Sequence, residues 1–160
     1  MASGAATECA CLLLATTSRP SLTQALSHCT GLTELYLCYC LPDSMSSKSA
    51  YEPQTASWLY ETLSSIASRK LRYLSIRLDA RLLATNLSTN HLYKLAKEFF
   101  AEQNATRIDA FLSNSTRFKR LRIVRFGLLC GTQTQSPDKN VWMAVITSSF
   151  PQLQARHMLG

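Results

Sequence analysis

The residues best placed to do chemistry in this sequence are arginines and tyrosines that alternate with leucines. Three stretches share one frame: Cys29-x2-Leu32-x2-Leu35-x-Leu37-x2-Cys40, Ser68-x2-Leu71-x2-Leu74-x-Ile76-x2-Asp79, and Ser115-x2-Phe118-x2-Leu121-x-Ile123-x2-Phe126. A weaker fourth runs Thr147-x2-Phe150-x2-Leu153-x-Ala155-x2-Met158. A two-residue spacing puts apolar side chains on one face of a strand and their neighbours on the other. The outward set is then Glu34, Tyr36 and Cys38; Tyr73, Ser75 and Arg77; Arg120, Arg122 and Val124; and Gln152, Gln154 and Arg156, with Arg72, Lys119 and Arg125 beside them. Guanidinium forks pair with carboxylate or phosphate, and Arg and Tyr dominate binding hot spots. The candidate partner-binding residues are therefore Glu34, Tyr36, Tyr73, Ser75, Arg77, Arg120, Arg122, Gln154 and Arg156. The expected partner is a protein, or an acidic or phosphorylated peptide. The competing reading is a solvated sheet face whose arginines serve solubility and blunt strand association.

A unit with one apolar edge cannot bury it alone and must stack on copies of itself. Leu35, Leu74, Leu121 and Leu153 mark copies spaced by 39, 47 and 32 residues. Helical spacing falls between them. Ser21 is a candidate N-cap for a helix carrying Leu22, Ala25 and Leu26. Trp58, Leu59, Leu63 and Ile66 predict a helix over about 55–68, closing on Arg69-Lys70. Leu92, Leu95, Ala96, Phe99 and Phe100 predict a helix over 91–103. Ile108, Phe111 and Leu112 make a further turn that Thr106 or Asp109 could cap, and Val141, Trp142, Val145 and Ile146 make a last helix. Strands are expected at 72–78, at 119–125 with Gly127 ending it, and at about 152–157, and the apolar run from Cys9 to Ala15 reads as an incomplete leading repeat. Loops fill 41–54, 79–90 and 127–138. Strands separated by helices pair in parallel. The expected fold is α/β: a short solenoid of three to four irregular repeats over residues 20–160, parallel strands on the concave side and helices on the convex side, behind a frayed stretch at 1–19.

Composition narrows the function classes. The 160 residues suit one domain, and an apolar share of 46% is that of a globular chain. A net charge of +7 favours an acidic partner or surface. No apolar run approaches the ~18 residues of a membrane span. The first basic residue, Arg19, follows the run at Cys9–Ala15, whereas a secretory signal wants its charge ahead of it. A cytoplasmic or nuclear protein is therefore expected. Neither a Cys-x2-Cys pair nor paired histidines at ligand spacing occur, so no metal is implied. Cys29 and Cys40 read as small packing residues. His28, His91 and His157 have no carboxylate at motif spacing, and neither a nucleophile elbow nor a Gly-rich phosphate loop is present. The chain reads as a non-enzyme without a cofactor. Phe99-Phe100 and both tryptophans read as core. Asn86, Asn104 and Asn114 head glycosylation sequons that matter only in a secreted chain. Nucleic acid is the other polyanion that the charge suits, although no nucleic-acid motif accompanies it.

The frame at 29–40 resembles the cysteine-containing class of leucine-rich repeat. Together with the long irregular periods and the ending Trp142…Ile146…Phe150-Pro-Gln-Leu-Gln-Ala-Arg-His-Met-Leu159, it resembles the C-terminal repeats of fungal F-box proteins, over about residues 20–159. The resemblance implies a leucine-rich-repeat solenoid and a protein-interaction role, namely substrate recognition for ubiquitin ligases. An F-box starts around a Leu-Pro, and the only Leu-Pro here, Leu41-Pro42, sits in a polar loop. The implied part is thus the repeat region, as a fragment or a stand-alone protein, without the adaptor-docking helices. The runner-up expectation is a protein that binds RNA or phospholipid through the basic concave face.

Overall fold

The computed structural model describes residues 9–13, 19–41, 58–81, 88–114, 116–131 and 137–160. Residues 1–8 of the stretch expected to be frayed, and most of the three expected loops, lie outside these residues. Strands β1 (Cys9–Leu13), β2 (Glu34–Cys40), β3 (Tyr73–Asp79) and β4 (Ile123–Leu129) form one parallel sheet in the order β1-β2-β3-β4. The helices are α1 (Arg19–His28), α2 (Trp58–Ser64), α3 (Thr89–Glu102), α4 (Ala105–Asn114), α5 (Lys139–Ser149) and α6 (Pro151–Ala155). Each strand lies beside its sequence neighbour, and every crossover carries a helix, as parallel pairing requires.

α1 packs on α2, α2 on α4, and α4 on α6, while α3 packs on α5; α4 also touches α3 and α5, and α5 touches α6, so the helices form one connected layer. α1, α2 and α4 each precede the turn into the next strand, and α3 and α5 are additional helices that follow β3 and β4.

The sheet turns one face toward these helices. Leu35, Leu74 and Val124 stand in register and are fully buried. Leu37, Ile76 and Phe126 form the next row, followed by Tyr39, Leu78 and Leu128. Each fully buried side chain of this kind contributes about 1.5–3 kcal/mol. Phe126 lies between two phenylalanines of the helix layer, stacked on Phe150 with centroids 4.3 Å apart and edge-on to Phe100 at 5.6 Å. Tyr39 meets Phe99 at 4.6 Å and Trp58 at 5.7 Å. Both tryptophans and the Phe99-Phe100 pair are buried, as the sequence suggested. Trp142 also donates its indole N–H to the Phe126 carbonyl at 3.0 Å, which occupies part of the outer edge of β4.

Residues from Gln103 to Arg117 pin the helices on either side. The buried Gln103 side chain accepts from the Leu59 N–H at 2.9 Å, closing the N-terminus of α2. Arg117 donates to the carbonyls of Ser64 and Ile66, closing the other end of α2. Buried Asp109 accepts from the N–H groups of Gln152 (2.7 Å) and Leu153 (2.9 Å), capping α6. Helix ends otherwise leave backbone groups unpaired, so these contacts fix how α2 and α6 sit against the segment that carries α4. Asp109 therefore caps α6 rather than its own helix. Ser21 lies inside α1, which starts at Arg19 with Pro20 in its first turn, so it is not the N-cap.

Three expectations about strands are corrected. The third strand runs over 123–129, not 119–125, and Gly127 lies within it instead of ending it. The frame slides by three because Phe118-x2-Leu121-x2-Val124 satisfies it at two registers. The register adopted buries Val124 and the large Phe126 and leaves Ile123 42% exposed. Val124 is accordingly inward, not outward. The fourth strand at about 152–157 is instead helix α6 followed by a turn. Pro151 suits the first helical position, and the helix closes with a reversal: His157 adopts φ 54°, its N–H bonds the Gln154 carbonyl at 2.9 Å, and the Met158 N–H bonds the Leu153 carbonyl at 3.0 Å. Only then does Leu159 bridge to Val124, in parallel.

Candidate binding surfaces

The sheet face turned away from the helices carries two kinds of residue. In register across β2, β3 and β4 stand Glu34, Tyr73 and Ile123; then Tyr36, Ser75 and Arg125; then Cys38, Arg77 and Gly127. The Tyr36 hydroxyl donates to Glu34 Oε2 at 2.9 Å, which orients both groups. The Tyr36 and Tyr73 rings meet at 5.3 Å, tilted by 43°, and the Arg125 guanidinium lies 5.8 Å from the Tyr73 ring centre. Beneath them Ser75 is fully buried, and its hydroxyl has no hydrogen-bond partner among the described residues. A buried hydroxyl without a partner is costly, and the Thr62 and Ser113 hydroxyls share this condition elsewhere in the core. Arg77 is exposed, and Gly127 beside it leaves room for its stem: a Cβ there would stand 3.4 Å from Arg77 Cγ.

At the far end of the strands the charges are paired. Asp79, itself buried, receives Arg81 Nε at 2.9 Å, Arg81 Nη2 at 2.6 Å and the Arg81 backbone N–H at 3.0 Å. The Arg81 side-chain bond holds the Asp79 carboxyl below its ordinary value; burial opposes this, while the backbone bond and the guanidinium charge assist it. Burial pushes the Cys130 thiol, just past β4, upward. Cys29, Cys38 and Cys130 are free thiols.

The opposite end is different. The turns before β3 and β4 read Arg69-Lys-Leu-Arg72 and Lys119-Arg-Leu-Arg122, and all six cations are exposed. The Arg122 N–H bonds the Arg72 carbonyl at 2.9 Å, so the two turns stack at one level. The Val124–Leu159 bridge brings exposed Arg156 and His157 alongside the second turn. Segments 68–77 and 118–125 hold eight of the chain's seventeen cations and no carboxylate. The ion pairs among the described residues, Asp79–Arg81 and Lys94–Glu98, involve none of these eight. The result is a basic rim at the strand N-termini, continuous with the open face.

The nine candidate residues thus divide. Glu34, Tyr36, Tyr73, Ser75 and Arg77 share the open face. Arg120, Arg122 and Arg156 belong to the rim, and Gln154 lies exposed on α6, off the sheet. Arg125 takes the open-face place that the sequence assigned to Arg122. The rim was missed because Arg69-Lys70 read as helix-terminal cations and Lys119-Arg120 as strand. Its signal was the near-identical basic tetrapeptide that precedes both strands. On the helix side, Tyr60, Arg107, Ala110, Phe111, Asn114 and Thr116 line a shallow depression, with the Arg107 guanidinium 3.8 Å from the Tyr60 ring centre.

No family model, curated protein or solved structure matches this chain. No helix among the described residues is long and apolar enough to cross a membrane.

Proposed function

We propose that this chain is a protein-interaction module of the leucine-rich-repeat kind, a substrate-receptor-like repeat region such as F-box proteins carry. Its open sheet face would bind an acidic or phosphorylated peptide. The observation that carries this reading is the Tyr36–Tyr73 ring pair, flanked by Glu34 on one side and by Arg125 and Arg77 on the other, over the unpartnered Ser75 hydroxyl. Rigid aromatics supply contact area at low entropic cost, and arginine forks select carboxylate or phosphate. Glu34 adds a constraint: the bound peptide must place its anionic group toward Arg125 and a hydrogen-bond donor toward Glu34. The sequential strand order and the helix that precedes each of β2, β3 and β4 support the repeat-protein part of the reading. The reading assigns no catalytic role.

The test is a peptide array of acidic, phosphorylated and neutral sequences, probed with wild type and with Arg77→Glu/Arg125→Glu. Selective capture of acidic or phosphorylated peptides, lost in the double variant, is the expected result. Equal capture by both proteins would sink the open-face assignment. Polyanion binding, the runner-up, draws its support from a different place, the rim.

A further inference from the structure

We propose that the basic rim docks this protein on an anionic membrane surface. Apart from Ile123, where the two surfaces meet, this patch uses residues other than those of the open face and stands apart from the peptide reading. Arg69, Lys70 and Arg72 stack beside Lys119, Arg120 and Arg122, with Arg156 and His157 alongside. Neighbouring parallel strands stand ~4.8 Å apart, so three such turns span about 10 Å. The turns before β3 and β4 present three cations each along a similar length, and the last turn adds Arg156. The array is therefore as broad as it is long, which matches a charged plane and not a linear track. It has a definite border: the equivalent turn before β2, Thr30-Gly31-Leu32-Thr33, carries no charge. Where β4 leaves the rim, Ile123 is 42% exposed, one of two large apolar side chains so exposed among the described residues. A single exposed aliphatic group beside a cationic patch suits shallow insertion at a headgroup layer.

The other polyanions fit less well. Single-stranded nucleic acid is held by cations along a track together with aromatic platforms for its bases. The rim segments 69–72 and 119–122 contain no aromatic residue. A phosphopeptide is held by a few oriented guanidinium forks, fewer groups than the rim offers, and two of the six rim cations are lysines, which act as unoriented point charges. A plane of anionic headgroups needs no orientation and rewards every cation near it, each by about fivefold in partitioning.

The experiment is co-sedimentation of the full chain with phosphatidylcholine vesicles, alone and mixed with phosphatidylserine. Binding is expected only to the mixed vesicles and should fall as salt is raised, because the screening length shrinks from about 10 Å at 0.1 M to about 3 Å at 1 M. Arg69→Ser/Lys70→Ser/Lys119→Ser/Arg120→Ser should reduce partitioning a hundredfold or more, on the order of four fivefold factors. A variant with the same loss of charge on the helices, Lys94→Ser/Lys97→Ser/Arg107→Ser/Lys139→Ser, should stay close to wild type. If circular dichroism shows the rim variant unfolded, Lys119→Ser/Arg120→Ser alone should still cost about twenty-fivefold. No binding to phosphatidylserine vesicles, equal losses in the two quadruple variants, or stronger retention on polyuridylate than on the vesicles would each overturn the proposal.

Discussion

The open face and the rim meet at the first residues of β3 and β4, yet they treat charge in opposite ways. On the open face several polar groups arrive with partners, although the Ser75 hydroxyl has none among the described residues. Glu34 holds the Tyr36 hydroxyl, Arg125 lies near the Tyr73 ring, and Asp79 at the strand ends is engaged three times by Arg81. On the rim the cations arrive without carboxylates. The difference teaches where each surface gets its specificity. Oriented and partly buried groups discriminate by geometry, because a ligand that misplaces its own groups leaves theirs unpaired. Exposed, unpaired cations discriminate only by charge density, and their effect fades with salt. On the two proposals, one surface would tell ligands apart and the other would concentrate the protein near a charged phase.

Both surfaces depend on the helix layer, and the first way to break the comparison acts there. Asp109→Ala should destabilise the chain by about 3 kcal/mol, because it leaves the Gln152 and Leu153 N–H groups without their charged acceptor in a buried setting. Urea titration measures it. The turn holding Arg156 and His157 should loosen, while protection of the β2–β3 amides in hydrogen exchange persists. Uniform loss of protection across the sheet would show that the two surfaces are not separately supported.

Next in size is Arg77→Glu/Arg125→Glu. It should weaken capture of an acidic peptide selected on the array by about 2 kcal/mol, the size of a binding hot spot. Vesicle binding should fall less than in the rim quadruple variant. The reverse ranking would mean that the two regions act as one undivided basic surface.

Asp79→Asn tests the paired end of the face. A depressed carboxyl contributes stability that is present above its unfolded value, about 3.9, and is lost as pH falls through the folded value. The wild type should therefore lose stability on acidification below about pH 4 that the Asp79→Asn variant does not lose, and the variant should be weaker near neutrality by about 1 kcal/mol. Parallel acid profiles for the two proteins would remove Asp79–Arg81 from the account.

The smallest effect is expected at the reversal that delivers the last turn to the rim. His157 holds φ 54°, a conformation glycine adopts without strain. His157→Gly should raise stability by about 0.5 kcal/mol or slightly more and leave peptide binding untouched. A loss of stability there would mean that the imidazole does more than occupy the turn.

Much of the architecture was legible. The spacing Leu32-x2-Leu35-x-Leu37 and its copy Leu71-x2-Leu74-x-Ile76 placed β2 and β3 in their true register, because both frames are satisfied at a single alignment. The helix at 91–103 was readable from its apolar stripe, and Ser88 caps it one turn before His91. Five of the nine candidate residues share the open face because they belong to those two unambiguous strands. The four that do not share it come from stretches where the pattern admits two answers. Phe118, Leu121 and Val124 repeat every three residues and allow a slide, and Pro151–Ala155 is short enough to read as strand or helix.

By itself, then, the sequence determined the alternation of helix, turn and strand, the parallel pairing, the register of β2 against β3 and the excess of cations. These follow from local spacing and from composition. The tertiary structure decided the third register, because only packing against Phe100 and Phe150 distinguishes Phe126 from Ile123 as the buried residue. It decided the fate of 151–155, because the cap on that helix is Asp109, more than forty residues away. It also decided that the arginines and lysines gather on a rim, since two basic tetrapeptides fifty residues apart become one surface only when their strands lie side by side.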